Sequence, residues 1–183
     1  MKIGIISDTH DNLGVTREAI DFFEAQGCEK VIHCGDMVAP FTAELFDGDF
    51  EFHYVRGNND GEWNLKETVN EFGHFYNNIA ELEIGGEDSS EKESLSEQRS
   101  QENDAGLEIA VYHGTEEEIV EGLVEKDYDF VFRGHTHEKK VSEEGGTVEL
   151  NPGGIRLPGQ DERIHVVILD TVTREFEFHR IEA

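Results

Sequence analysis

Apolar residues along this chain gather in short, β-branched runs, and stretches with helical spacing separate the first of them. Lys2–Ser7, with Ile3, Ile5 and Ile6, reads as a strand. Leu13–Gln26 places Val15, Ala19, Ile20, Phe22 and Phe23 at helical intervals and is followed by Gly27, which predicts a helix with a glycine stop. Lys30–Cys34 reads as a short buried strand, Pro40–Phe46 as a short helix opened by proline, and Phe50–Val55 as the next strand. Strands alternating with helices predict parallel βαβ units. The pattern then shifts. Phe75–Ile84 and Leu107–Tyr112 read as strands, and Glu116–Lys126 as a helix with Ile119, Val120, Leu123 and Val124 on one face. Asp129–Arg133, Thr147–Leu150, Arg163–Asp170 and Glu175–Ile181 read as strands, the last three without helices between them, so the second half is expected to be mostly antiparallel. The whole predicts an α/β fold: a four-layer α/β/β/α sandwich of two mixed sheets flanked by helices.

The chain has 183 residues, enough for one domain, 1–183, with a sizeable core. Its interruption is a Gly/Ser/Glu/Gln-rich stretch at about 85–106, too poor in apolar residues to offset its own ordering entropy and read as an insertion at a hairpin turn. That insertion carries seven acidic and two basic residues, a net of −5, while the whole chain holds 42 acidic residues against 15 basic ones for a net of −27. The acidity is therefore spread over the fold. Such a charge repels itself in dilute salt, whereas at ~1 M salt the Debye length falls to about 3 Å and the repulsion is screened. With only seven lysines besides, the composition points to a halophile's saline cytoplasm. No Lys/Arg cluster offers a phosphate-binding face, so nucleic acid is not expected as a partner. Cys28 and Cys34 form no CxxC pair and read as buried residues. No run approaches the ~18 apolar residues of a membrane span, and no signal peptide is read, so a cytoplasmic location is expected.

Polar motifs follow five of the apolar runs. Asp8-Thr9-His10 follows the first strand, Gly35-Asp36 the second, and Gly57-Asn58-Asn59-Asp60 the third; His113-Gly114 and Gly134-His135-Thr136-His137 follow two later ones. Ligands of α/β sheets bind beyond the carboxyl ends of strands. Carboxylate, amide oxygen and imidazole suit divalent Mn²⁺, Fe²⁺, Ni²⁺, Mg²⁺ or Zn²⁺. Asp8 with His10, and His135 with His137, are two residues apart and can face one way from extended chain.

The ordered set D-x-H, GD, GN-x-D, HG and GHTH resembles the calcineurin-like metallophosphoesterase superfamily. With Arg56-Gly57-Asn58-Asn59-Asp60 and Asn151-Pro152-Gly153-Gly154, the chain is similar to the small YfcE-type phosphodiesterases within it. The resemblance implies a two-metal phosphoesterase, most simply a phosphodiesterase acting on a small phosphodiester or phosphoester. Asp8, His10, Asp36 and His137 would hold one ion, and Asp36, Asn58, His113 and His135 the other, with Asp36 bridging. Asp36, Asn58 and His113 would act catalytically through that centre, using a metal-bridging hydroxide as nucleophile, with the ions about 3.5–4 Å apart. Mn²⁺ is the first expectation for both ions. Many relatives carry His after the GN asparagine, as proposed donor to the leaving group; this chain has Asn59, whose amide cannot serve as a general acid. Asn58 and Asn59 are further expected to touch substrate. The same resemblance leaves two alternatives open: a non-catalytic interaction scaffold like the retromer subunit of this superfamily, and a phosphomonoesterase or nucleotide phosphatase. Homo-oligomerisation is also open.

The remaining polar positions read more plainly. His33 and His53, inside strands, are expected to be structural, and His74, His165 and His179 have no motif around them. Asn151-Pro152-Gly153-Gly154 reads as a turn near the metal site. Arg56 is expected to position its loop, and Asp60 to orient Asn58 or its neighbours.

Overall fold

A computed structural model of the chain describes residues 1–85, 106–154 and 164–181. The interior of the acidic insertion lies outside the described residues. Strands β1 (Lys2–Ile6), β2 (Lys30–His33) and β3 (Glu51–Val55) alternate with α1 (Leu13–Gln26) and α2 (Pro40–Ala43), the latter continued by a 3-10 turn over Glu44–Phe46. Then come α3 (Leu65–Val69), β4 (Gly73–Tyr76), β5 (Ile79–Ile84), β6 (Leu107–Tyr112), α4 (Glu117–Val124), β7 (Phe130–Phe132), β8 (Lys140–Glu144), β9 (Thr147–Asn151), β10 (Ile164–Asp170) and β11 (Phe176–Ile181). The Asn12 side chain caps α1 by accepting from the Val15 backbone N–H, and Gly27 closes its other end.

Two elements were not expected from the sequence. Helix α3 has five residues and buries only Leu65 and Val69, too short a pattern to show a period. Strand β8 is an edge strand with no buried residue, so its side chains show no alternation.

One sheet runs β11-β10-β1-β2-β3-β4 and the other β5-β6-β7-β9-β8. In the first, β1 through β4 pair in parallel, and β10 joins β1 antiparallel with Ile5 opposite Val167. In the second, β5 and β8 are antiparallel edges, but β6, β7 and β9 run parallel. With β10–β11 also antiparallel, most pairings of the second half are antiparallel as expected, and β6–β7 and β7–β9 are the parallel ones. Helix α4 carries the chain from β6 back to the start of β7, and a crossover of that kind joins parallel strands.

Successive residues of one strand feed different cores. Ile3 and Ile5 of β1 join Ile32, Val55, Ile109, Val111, Phe130 and Phe132 between the sheets. Ile6 instead packs with Phe52, Val15, Ala19 and Phe23 beneath α1. On the far side of the second sheet, Ala110, Tyr112 and Val131 meet Val120 and Leu123 of α4. The result is the expected four layers. Strands buried on both faces explain the unbroken apolar runs. They also bring the carboxyl ends of β1, β2, β3, β6, β7 and β9 to one rim.

Candidate metal centre

The motifs after β1, β2 and β7 leave their strands through sharp turns. Asp8, His10, Asp36, His135 and His137 all adopt positive φ, between 43° and 70°. Such backbone is uncommon for residues with side chains, and several together mark a site held by its surroundings. Glycines let the turns nest. A Cβ on Gly57 would lie 2.2 Å from Asp36 Oδ1, and one on Gly134 would lie 1.9 Å from Ser7 Oγ and 2.5 Å from Asp8 Oδ2. The tight approach of the loops to the two carboxylates is possible only without side chains at these positions.

Asp8, His10, Asp36 and His137 each offer a ligand atom, and the four atoms lie within 4.8 Å of one another. His10 Nε2 is 3.1 Å from His137 Nε2, and His137 Nε2 is 3.4 Å from Asp8 Oδ1. His10 Nε2 is 3.9 Å from both Asp8 Oδ1 and Asp36 Oδ2. His113 Nε2 approaches the same oxygen, lying 3.3 Å from Asp36 Oδ2 and 3.1 Å from Asn58 Oδ1. The ring of His135 stands edge-on to that of His113, centroids 5.2 Å apart. All seven residues that the motifs single out thus gather at one rim, with Asp36 touched from both groups.

Asp8 and Asp36 are buried. Ser7 Oγ donates to Asp8 Oδ2 at 2.6 Å, and the His135 backbone N–H donates to the same carboxylate. Burial works against the ionised Asp36, but the His113 hydrogen bond and charge, together with the Asn59 backbone and amide donors, outweigh it and hold its carboxyl below the usual range. Conversely, burial disfavours protonated His113, yet Asp36 and Asp8 raise its pKa above the ordinary value. The Nδ1–H of His113 donates to the Cys34 carbonyl at 2.8 Å, which aims Nε2 at the centre. Among the described residues, no lysine or arginine pairs with either carboxylate. Two buried carboxylates faced by imidazoles form a donor set that fits divalent cations.

A network beneath fixes this arrangement. Buried Asp60 accepts from the backbone N–H groups of Gly57 (2.6 Å), Val38 (2.8 Å) and Asp36 (3.2 Å), and from the Tyr54 hydroxyl. Asp60 therefore ties the Asp36 loop to the Asn58 loop, and Arg56 donates to its carbonyl oxygen. Asn151 donates to the Gly134 carbonyl at 2.8 Å and to Thr136 Oγ1 at 3.0 Å, holding the loop of His135 and His137. Asn59 Nδ2 donates to Asp36 Oδ2 at 2.6 Å. His33 sits beneath the rim, its ring between Thr9 Oγ1 and the Gly35 N–H, and burial pushes its pKa down to about 3. His53 lies under β4 beside Tyr76 and Glu51, away from the rim. Sequence reading passed over Arg133, a buried cation bonded to Gly114 and Glu149; its signal was a charge closing the apolar run Phe130-Val131-Phe132 directly before a motif.

No helix among the described residues is long and apolar enough to cross a membrane. Phosphodiesterase MJ0936 of Methanocaldococcus jannaschii is 35% identical over 180 residues, spanning 96% of each chain. A solved structure described as a novel archaeal phosphodiesterase superposes with a TM-score of 0.79 at 32% identity, covering 98% of this chain and 99% of that one. Two structures at 18% identity share the fold. The YfcE phosphoesterase of E. coli has a TM-score of 0.59 over the whole of both chains, and zinc-complexed Vps29 of Entamoeba histolytica has 0.63 over 98% of each. The model of the calcineurin-like phosphoesterase superfamily domain matches residues 1–174, and the chain belongs to that superfamily.

Proposed function

We propose that this protein is a metal-dependent phosphodiesterase whose centre takes two divalent ions, Mn²⁺ first. The observation that carries the reading is the gathering of Asp8, His10 and His137 around Asp36, with His113, itself beside Asn58, meeting the same carboxylate. Both groups approach the same oxygen, Asp36 Oδ2, with His10 Nε2 at 3.9 Å and His113 Nε2 at 3.3 Å, so this carboxylate could serve two ions at once. In this reading Asp8, His10, Asp36 and His137 hold one ion, and Asp36, Asn58, His113 and His135 the other. Two such ions supply an activated water and charge stabilisation on the phosphoryl oxygens.

The protein's own groups do the rest. The Cys34 carbonyl keeps the proton of His113 on Nδ1, so that Nε2 faces the centre. Asn58 and Asn59 are exposed at the rim, which supports reading them as substrate contacts. Asn59 spends its amide hydrogen on Asp36 and has no proton of useful acidity to give a departing alkoxide. Turnover is therefore expected to favour activated phosphodiesters, whose leaving groups need no protonation. The chain 1–183 would work as one domain, with the 85–106 stretch as an insertion.

The test is hydrolysis of an activated phosphodiester and a matching monoester in high salt, with Mn²⁺, Ni²⁺ and Mg²⁺ in turn. Faster diester hydrolysis with at least one metal is expected, and Asp36→Asn should cost at least about a hundredfold, since even changes around ligands cost 10–100-fold. Folded protein that is inactive with every metal would replace the enzyme by the interaction scaffold. Unchanged activity in Asp36→Asn would remove the bridging role.

A further inference from the structure

We propose that Arg133 is a positioning residue for the metal centre, its guanidinium clamping together the three segments that deliver His113, His135 with His137, and Asn151. The inference rests on the reading of His113 and His135 as ligands. Arg133 is 2% exposed, the largest fully buried side chain among the described residues. From the end of β7 it reaches both neighbouring segments. Its Nη1 donates to Glu117 Oε1 at 2.9 Å and its Nη2 lies 2.8 Å from Glu117 Oε2, a two-pronged grip on the first turn of α4. Nη2 also donates to the Gly114 carbonyl at 3.2 Å, one residue past His113. Nη1 meets Glu149 Oε1 of β9 at 3.3 Å, two residues before Asn151.

The partners are themselves fixed. Glu149 accepts from Lys140 Nζ at 2.8 and 2.9 Å and from Ser142 Oγ at 2.7 Å, both on β8. Gly114 has φ 101°, and a Cβ there would fall 2.8 Å from Arg133 Nε, so the guanidinium packs directly on the backbone that follows His113. Meanwhile the Gly134 N–H donates to the His113 carbonyl at 2.9 Å, and the Arg133 N–H to the Leu150 carbonyl at 3.0 Å.

Stability alone does not call for this arrangement. A buried ion pair is commonly replaceable by apolar residues without loss, and Arg133 Nε has no hydrogen-bond partner among the described residues. What an apolar side chain cannot do is grip a carbonyl and two carboxylates at set angles. Ligand side chains on loops are productive only when their supports hold them within about 0.5 Å.

The test measures Mn²⁺ affinity and metal-free thermal stability side by side, on the full chain in high salt, for wild type, Arg133→Ala, Arg133→Lys and Glu117→Gln. Arg133→Ala is expected to weaken Mn²⁺ binding by about tenfold to a hundredfold. Saturating Mn²⁺ should restore most of its kcat, and millimolar methylguanidinium should recover affinity. Arg133→Lys, which keeps the charge and loses the fork, should fall between. Should Arg133→Ala not fold, Glu117→Gln decides, because the Glu117 side chain is 57% exposed and its loss leaves the core intact. Weakened Mn²⁺ binding at unchanged metal-free stability in Glu117→Gln supports the clamp. Wild-type affinity in both Glu117→Gln and Arg133→Lys overturns it, as does an Arg133→Ala whose activity loss tracks stability alone. Wild-type protein that binds no Mn²⁺ refutes the metal reading itself, and this inference with it.

Discussion

Asp60→Ala probes how the proposed metal centre is held together. The Asp60 carboxylate is buried and accepts four donors: Oδ2 takes the Asp36 N–H, the Gly57 N–H and the Tyr54 hydroxyl, and Oδ1 takes the Val38 N–H. Truncation strands the three backbone donors, since none has a second acceptor among the described contacts. Tyr54 still accepts from the Met37 N–H and can turn its own hydrogen elsewhere. At about 1–3 kcal/mol for each stranded donor, and with water entering the space, the loss should come to about 3–5 kcal/mol. For a chain of this size that is a fall in Tm of roughly 6–20 °C. Asp60→Asn is a finer instrument. Its oxygen can keep the three donors at Oδ2, leaving one amide hydrogen facing the Val38 N–H, a single mismatch of about 1–3 kcal/mol. Both variants should also weaken Mn²⁺ binding about 10–100-fold, because the Asp36 loop loses its tie to the Asn58 loop. Thermal unfolding of metal-free protein in high salt, followed by Mn²⁺ titration, measures both effects. An Asp60→Ala protein within about 1 kcal/mol of wild type, or an Asp60→Asn protein as damaged as Asp60→Ala, would refute this account.

Asn59→His should speed hydrolysis of diesters with poor leaving groups by about 10²-fold while changing activated substrates little; a leaving-group series with unchanged slope would remove the proton-supply account. Burial pushes the pKa of His33 down to about 3 and that of His53 to about 4, against the pull of the nearby Asp8 and Glu51 carboxylates respectively. The unfolded chain protonates both imidazoles near about 6.5, so stability present above that pH is lost as the pH falls towards 4, on the order of 3 kcal/mol for each. Imidazole proton resonances that show His33 and His53 titrating near their ordinary value in the folded protein would contradict this. The net charge of −27 predicts that dialysis from molar to millimolar salt lowers Tm by about 10 °C or more, corresponding to a few kcal/mol of self-repulsion; scanning calorimetry with no shift would rule out adaptation to high salt.

The parts of the centre legible in the sequence share a physical cause. Asp8, Asp36, His113 and His135 each follow a run that must be a buried strand, and parallel strands present their carboxyl ends at one rim. The supports were less visible. Asp60 could be suspected as an orienting group, but its tie to the Asp36 loop joins residues 24 apart in the chain. Arg133 gave only the signal of a charge beside apolar residues, because Glu117, Glu149 and Gly114 approach it from three separate segments. Strand β8 and helix α3 escaped for a simpler reason: an exposed edge strand and a single helical turn bury too little to leave a period.

By itself the sequence determined the layers and singled out the side chains of the proposed site. Period-two and period-3.6 burial patterns are local consequences of backbone geometry, and the chemistry of Asp, His and Asn travels with the residue. Only the tertiary structure decided which residues meet. The parallel order of β6, β7 and β9 follows from the path of α4 and the β8 hairpin, the close approach of Gly57 to Asp36 follows from how the loops nest, and the central place of Asp36 follows from both sheets ending at the same rim. Such contacts depend on closing long loops of chain, and their energies come from packing and burial that exist only once the two sheets have come together.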